Sequence, residues 1–232
     1  MKHPLLVSPC SIPQFFQMVG ENLLDRLESL PLLKPTQILE ISQGTVQHRL
    51  RQYYPTACFT SFPLGTPWLE EIPYPDESLD LILSNLALPW FSHAELLVQE
   101  FARVLKPGGT LLFSTLGTET LKELYQAASI ATQPFVDMHD LGDLLVQVGL
   151  THPVVDVEWF EIHCMRIREI LRELKLYQAY PKELVQKNRL KTLFTTYEQY
   201  RSPEGYLPVS VEVIYGYATG KKEKTYEKLI PL

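Results

Sequence analysis

The chain has 232 residues, 45% of them hydrophobic and 21% charged, which is enough to bury one large core and points to a single domain with an insertion. A net charge of -6 and a pI of about 5.6 exclude a general nucleic-acid binder. Cys10, Cys58 and Cys164 are too widely spaced for a metal or redox motif and read as reduced thiols, as expected in the cytoplasm. The first residues are broken by prolines before any apolar run reaches signal-peptide length, and no later run spans a bilayer.

Residues 1–13 carry three prolines and read as a flexible arm. From Gln14 to Leu30 the positions Phe15, Phe16, Val19, Leu23, Leu24 and Leu27 recur at helical spacing. Gln37 to Ile41 is a short strand, followed by Ser42-Gln43-Gly44-Thr45-Val46 and a segment that starts a helix. Strand, glycine-bearing turn and helix N-terminus together place backbone amides where they face a ligand, although a plain turn also needs one glycine. Ala57 to Phe62 is the next strand. Only 16 residues separate Phe62 from Leu79, too few for a helical crossover and a further strand, so one edge strand and its helix are expected to be missing.

Leu79 to Ile82 begins a buried parallel strand that should end near Ser84-Asn85. His93 to Leu105 is then an amphipathic helix, which Lys106-Pro107-Gly108-Gly109 should end before a strand over Thr110 to Ser114. In open sheets of this kind ligands sit beyond the carboxyl ends of the strands, which is where Asn85 falls; a lone Asn there also suits a simple turn. Thr120 to Ala131 reads as helix. A second helix starts from the cap candidates Asp137 to Asp140 and ends at Gly149. Val154 to Ile162 is a strand, two helices follow at about 166–177 and 182–200, and Val209 to Tyr217 is the last strand. The domain therefore divides into the arm at 1–13, a core at 14–164, a helical insertion at 165–201, the final strand region at 202–219 and a tail at 220–232.

Pro73-Tyr74-Pro75-Asp76-Glu77-Ser78-Leu79-Asp80, Ser84-Asn85-Leu86-Ala87 and Arg103-Val104-Leu105-Lys106-Pro107-Gly108-Gly109 resemble the motifs of S-adenosylmethionine-dependent methyltransferases. More narrowly, Phe113 to Thr118, Met138 to Asp143, Leu171 to Lys175 and Leu207 to Gly216 are similar to the malonyl-[acyl-carrier protein] O-methyltransferase family of biotin synthesis. The resemblance implies an α/β, Rossmann-like class I methyltransferase sheet with flanking helices. It also implies S-adenosylmethionine as cofactor, no metal, and methylation of the free carboxylate of a malonyl thioester. That acceptor is already ionised at neutral pH, so no general base or nucleophilic side chain is implied.

By position the resemblance makes Glu40, Gly44 and Asn85 cofactor-binding residues. The family's acid and three alternating glycines fall here on Glu40, Ser42, Gly44 and Val46, and its ribose-binding acid falls on Phe62 or Pro63. Its adenine-side acid falls at Pro67-Trp68, with Glu70 and Glu71 nearby as substitutes or as solvated loop charges. Trp68 and Trp90 wall a pocket or pack in the core. The scattered histidines His48, His93, His139, His152 and His163 suggest no catalytic role.

Between Arg166 and Lys191 eight basic residues face three acidic ones, five positive charges in excess within an acidic chain. Arg166, Arg168, Arg172 and Lys175 are thus candidates for docking an acidic carrier protein, or are simply a solvated helix face. Two other readings stay open: a non-catalytic relative that binds a carrier or an intact paralogous chain, and a methyltransferase for another small acid or a quinone-type substrate.

Overall fold

The computed structural model describes residues 12–30, 34–42, 46–64, 71–91, 93–130, 135–176, 184 and 187–221. Six strands form one sheet in the order β2-β1-β3-β4-β6-β5. They are β1 (Gln37–Ser42), β2 (Cys58–Pro63), β3 (Leu79–Asn85), β4 (Leu105–Leu116), β5 (Thr151–Cys164) and β6 (Leu207–Thr219). β1 to β4 are parallel, and β6 runs antiparallel to both β4 and β5. The chain leaves β1 in one direction to reach β2 and returns to β3 on the other side of β1, so the order reverses between β1 and β3. In open sheets of this topology the ligand side is the carboxyl ends of the two strands where the order reverses.

β3 is central, and Leu79, Leu81, Ile82 and Leu83 are all buried; a strand covered on both faces loses the alternation of a half-exposed one. β2 forms one edge and is mostly half-buried. No helix or strand lies between β2 and β3 among the described residues, as the short spacing predicts. Residues 72–78 instead run beneath α3 (Ala94–Val104), where Arg103 donates to the carbonyls of Ile72 and Tyr74.

Register sorts the side chains into two faces, because laterally paired residues of a sheet point the same way and neighbours along a strand alternate. Glu40, Ser61, Asn85, Ser114 and Tyr215 share one face, while Ile41, Ser84, Phe113 and Gly216 share the other. The first face carries α1 (Ile12–Glu28), with Val19, Leu23, Leu24 and Leu27 buried beneath it. Arg26 of α1 lies 3.7 Å above the Tyr215 ring and bridges Asp156 and Glu158 of β5 at 2.7 and 3.0 Å. The second face carries α3, through Leu97, Val98, Phe101 and Ala102. Gly216 is required there, since a Cβ on it would lie 2.2 Å from the Phe113 ring.

α2 (Gln47–Tyr53) and α4 (Lys122–Ala127) are short, the latter well inside the predicted 120–131. α5 (Met138–Gln147) is capped as expected by Asp137, which accepts the His139 amide at 2.8 Å, and the chain turns at Gly149 with φ 88°. The insertion holds α6 (Ile167–Leu176) and α7 (Lys187–Thr196), then a 3-10 turn over Tyr197–Tyr200. One expectation is corrected. Lys106 to Gly109 is not a turn between helix and strand but part of β4, which starts at Leu105 directly after α3. Leu105 already pairs with Leu79, and the slack left by Gly108 at φ 72° appears as a register shift between Leu79 and Leu81.

Candidate active site

The crevice rim is built from the last residues of β1, β3 and β4. Glu40 is fully buried, and both carboxylate oxygens are held: Ser42 Oγ donates to Oε1 at 2.5 Å and Ser61 Oγ to Oε2 at 2.6 Å. Strand periodicity explains the arrangement, because Ser42 lies two residues on and Ser61 directly opposite. Asn85 is also fully buried; its Nδ2 donates to the Phe16 carbonyl at 2.9 Å and its Oδ1 accepts from Ser114 Oγ at 2.8 Å. It therefore fastens the amino-terminal half of α1 across the rim. The Leu86 amide donates to both the carbonyl and the hydroxyl of Ser114, at 3.1 and 3.0 Å.

The structure thus brings Glu40 and Asn85 to one face at the ends of adjacent strands. Gly44 lies outside the described residues, as do Trp68 and Glu70. Ser42, the residue in place of a glycine, turns its hydroxyl onto Glu40, and Val46 is buried in the core. β2 ends at Phe62 and Pro63 without a carboxylate. Glu71 offers no substitute at the rim, since it stands 3.8 Å from Arg103 at the opposite end of the sheet. Trp90 is half-buried in a 3-10 turn over Leu88–Trp90.

Two features of the rim lay outside the sequence reading. Ser84 Oγ is buried and has no hydrogen-bond partner among the described residues, and Leu86 adopts φ 53°, a left-handed conformation that is unfavourable for a branched, bulky side chain. Only a tertiary structure reveals either. A cavity of about 480 Å³ lined by Asp76, Gln99, Arg103 and Lys221 lies at the other end of the sheet. Every Arg103 nitrogen there is already hydrogen-bonded within the protein. No cluster of His, Cys, Asp and Glu suited to a metal occurs among the described residues. No described helix is long and apolar enough to cross a membrane.

On α6, Ile167, Ile170, Leu171 and Leu174 are buried while Arg168, Arg172 and Lys175, together with Arg166 just before the helix, are exposed. The Arg168 guanidinium lies 5.1 Å over the Phe194 ring of α7, so the basic face is partly held in place. This insertion packs beside the rim through α4: Tyr200 donates to Gln126 at 3.0 Å and Arg189 to the Ser129 carbonyl at 3.1 Å.

A methyltransferase domain model matches residues 43–113, which contain Asn85 at the end of β3 and stop just before Ser114 of β4. Malonyl-[acyl-carrier protein] O-methyltransferase 1 of Coxiella burnetii is 34% identical over 232 residues, covering 90% of this chain and 82% of its own. The chain belongs to the malonyl-[acyl-carrier protein] O-methyltransferase family. A second family member, from Halorhodospira halophila, is 33% identical over 87% of this chain and 80% of its own. Phosphoethanolamine N-methyltransferase 2 of Haemonchus contortus, solved in complex with S-adenosyl-L-methionine, has a TM-score of 0.52 at 14% identity, over 87% of this chain and 53% of that one. At that identity the likeness is one of fold, and the fold is that of the class I methyltransferases. The family resemblance seen in the motifs is therefore correct, and so is the expected α/β architecture with a helical insertion before the last strand.

Proposed function

We propose that this family member methylates the free carboxylate of a malonyl thioester on acyl carrier protein, using S-adenosylmethionine, as a cytoplasmic step of the pimeloyl branch of biotin synthesis. The observation that carries this reading is the extent of the family match. The domain model stops at residue 113, whereas the family alignment covers 90% of the chain and so extends well beyond the shared core into the helical insertion.

The described rim fits such a cofactor in part. The Glu40 carboxylate, oriented by two serines, is suited to the cationic amino-acid end, and Asn85 to keeping α1 over the bound group; Gly44, outside the described residues, keeps the cofactor role that the family resemblance implies. When bound, S-adenosylmethionine supplies an electrophilic methyl group and leaves as a neutral thioether. The protein need not remove a proton, because the acceptor carboxylate is ionised at neutral pH; its task is alignment and exclusion of water. Phe15 and Phe16, buried at the start of α1, serve the second purpose. Arg166, Arg168, Arg172 and Lys175 steer the acidic carrier to the insertion, which adjoins the rim through α4.

Isothermal titration should give micromolar affinity for S-adenosylmethionine, with methyl transfer to malonyl-carrier and none to acetyl-carrier. Replacing Arg168, Arg172 and Lys175 together by Glu should abolish carrier binding while leaving cofactor affinity unchanged; carrier binding at the original strength would refute the docking face. A second reading draws on the end of β2, where no acid meets the ribose hydroxyls. Millimolar or absent cofactor binding would favour a non-catalytic partner of an intact paralogous chain.

A further inference from the structure

We infer that Ser114 is a positioning residue that governs ligand exchange, an inference that rests on the cofactor reading above. Acting through Asn85, it latches the first half of α1 over the rim, and that half must lift for a ligand to enter or leave. Glu40, Asn85 and Ser114 are all fully buried, so a ligand reaches them only when something that covers them moves. On the side of Asn85 the cover is the start of α1, whose Phe16 carbonyl accepts the Asn85 Nδ2 bond at 2.9 Å.

The two halves of α1 are held by different means. Beyond Gly20, Leu23, Leu24 and Leu27 are buried, Asn22 donates to Glu158 at 3.1 Å, Arg26 bridges Asp156 and Glu158, and Arg49 of α2 reaches Asp25 and Glu28 at 3.5 and 3.3 Å. Ahead of Gly20 the helix lies on the sheet through apolar side chains, with Phe15 edge-on to Phe160 at 5.9 Å between ring centres, and through the bond from Asn85. Apolar contacts can slide and re-form without stranding a polar group, whereas breaking the ion pairs of the second half leaves charges without partners. Gly20 itself is buried within the helix, and with no side chain to restrict its backbone it is the place where the helix bends.

Ser114 decides which way the Asn85 amide points. An amide presents an oxygen and an NH2 group of nearly the same shape, and only its hydrogen bonds tell them apart. The Leu86 amide donates to Ser114 Oγ at 3.0 Å, so the hydroxyl proton turns to Asn85 Oδ1 at 2.8 Å and Nδ2 is left facing the Phe16 carbonyl. Turned the other way, Asn85 would set oxygen against oxygen and release the first half of α1. Removing the hydroxyl does not orphan the Leu86 amide, which also donates to the Ser114 carbonyl at 3.1 Å.

The experiment follows amide hydrogen exchange along α1 in the full chain, for wild type, Ser114→Ala, Asn85→Ala and the double variant, and measures S-adenosylhomocysteine association and dissociation by stopped flow. In wild type the amides of Phe16 to Gly20 should exchange faster than those of Leu23 to Leu27, and S-adenosylhomocysteine should slow the first group alone. Ser114→Ala should speed exchange over Phe16 to Gly20 about tenfold, the range expected for one lost hydrogen bond, and leave Leu23 to Leu27 unchanged. Both ligand rates should rise by similar factors, so that affinity changes less than either rate. The double variant should exchange no faster than Asn85→Ala, because the two residues act as one latch. An equal rise in both halves of α1, faster dissociation with unchanged association, or independent effects of the two substitutions would overturn the inference and leave the transferase reading in place. If exchange behaves as stated but no variant binds S-adenosylhomocysteine, the cofactor reading fails while the latch stands.

Discussion

The two ends of the sheet are built on opposite principles. At the amino ends of β1, β3 and β4, Asp80 accepts the Thr36 amide at 2.9 Å, the Thr36 hydroxyl at 2.7 Å, the Gln37 amide at 2.9 Å and Lys106 Nζ at 2.6 Å. Nearby, Arg103 uses its guanidinium on Glu100, Asp76 and two carbonyls. At the carboxyl ends the Ser84 hydroxyl has no partner among the described residues and two buried leucines, Leu86 and Leu121, stand at φ 53° and 58°. One end spends its polar groups on holding the strands together, and the other leaves a buried hydroxyl unbonded among the described residues. Substitutions at the first end should therefore alter stability with little effect on binding, and those at the second should do the reverse.

The largest effect is expected for Arg103→Met. Glu100 is mostly buried and loses its main partner, and the carbonyls of Ile72 and Tyr74 lose a donor, so unfolding in urea should become easier by about 3 kcal/mol. Hydrogen bonds that Arg103 donates to the Glu100 and Asp76 carboxylates raise its pKa further above its ordinary value, so the loss should be the same at pH 6 and pH 9. Cofactor affinity, measured well below the melting temperature, should not change. A substantial fall in affinity would mean that the two ends are coupled.

Asp80→Asn should cost less, about 2 kcal/mol at pH 7, and its pH dependence distinguishes it. Burial pushes the Asp80 pKa up, but hydrogen bonds from Lys106, Thr36 and Gln37 outweigh it and hold the value down to about 2. In the unfolded chain the group titrates near 3.9, so the folded protein gains stability above about pH 4 and loses it as pH falls towards 2. Urea midpoints of wild type and variant should differ fully at pH 7, approach each other between about pH 4 and 2, and coincide below that range. A gap that persists at pH 2 would assign the effect to shape and not to charge.

Most of the frame was legible in the sequence because apolar periodicity and chain spacing report burial and connection directly. The run at Leu79 to Leu83 announced a doubly covered strand, and the short link from Phe62 to Leu79 announced a truncated edge. Lys106 to Gly109 misled because proline and glycine mark local punctuation; whether the backbone nonetheless pairs with a neighbour depends on Leu79, far away in sequence. At the rim, Glu40 and Asn85 stood out by position, but their partners did not. Ser42 was recoverable from strand alternation, while Ser61, Ser114 and the Phe16 carbonyl belong to other elements brought together by register. The unpaired hydroxyl of Ser84 is a property of surroundings and has no sequence signal at all.

The smallest expected change in stability gives the sharpest test of the contrast. Ser61 lies on the half-buried edge strand β2 and donates to Glu40 Oε2 at 2.6 Å; Ser42 still holds the other oxygen if it is removed. Ser61→Ala should therefore lower stability by no more than about 1 kcal/mol, the scale of a single hydrogen bond. The freed carboxylate oxygen can swing, however, and S-adenosylmethionine affinity should fall about threefold, whereas Arg103→Met and Asp80→Asn leave it alone. Combining Ser61→Ala with Glu40→Gln should bring no further loss of affinity beyond Glu40→Gln, because residues acting through one group are not additive. Full additivity would show that Ser61 reaches the ligand by a route of its own, and an unchanged affinity in Ser61→Ala would show that the orientation of Glu40 is set by Ser42 without help from β2.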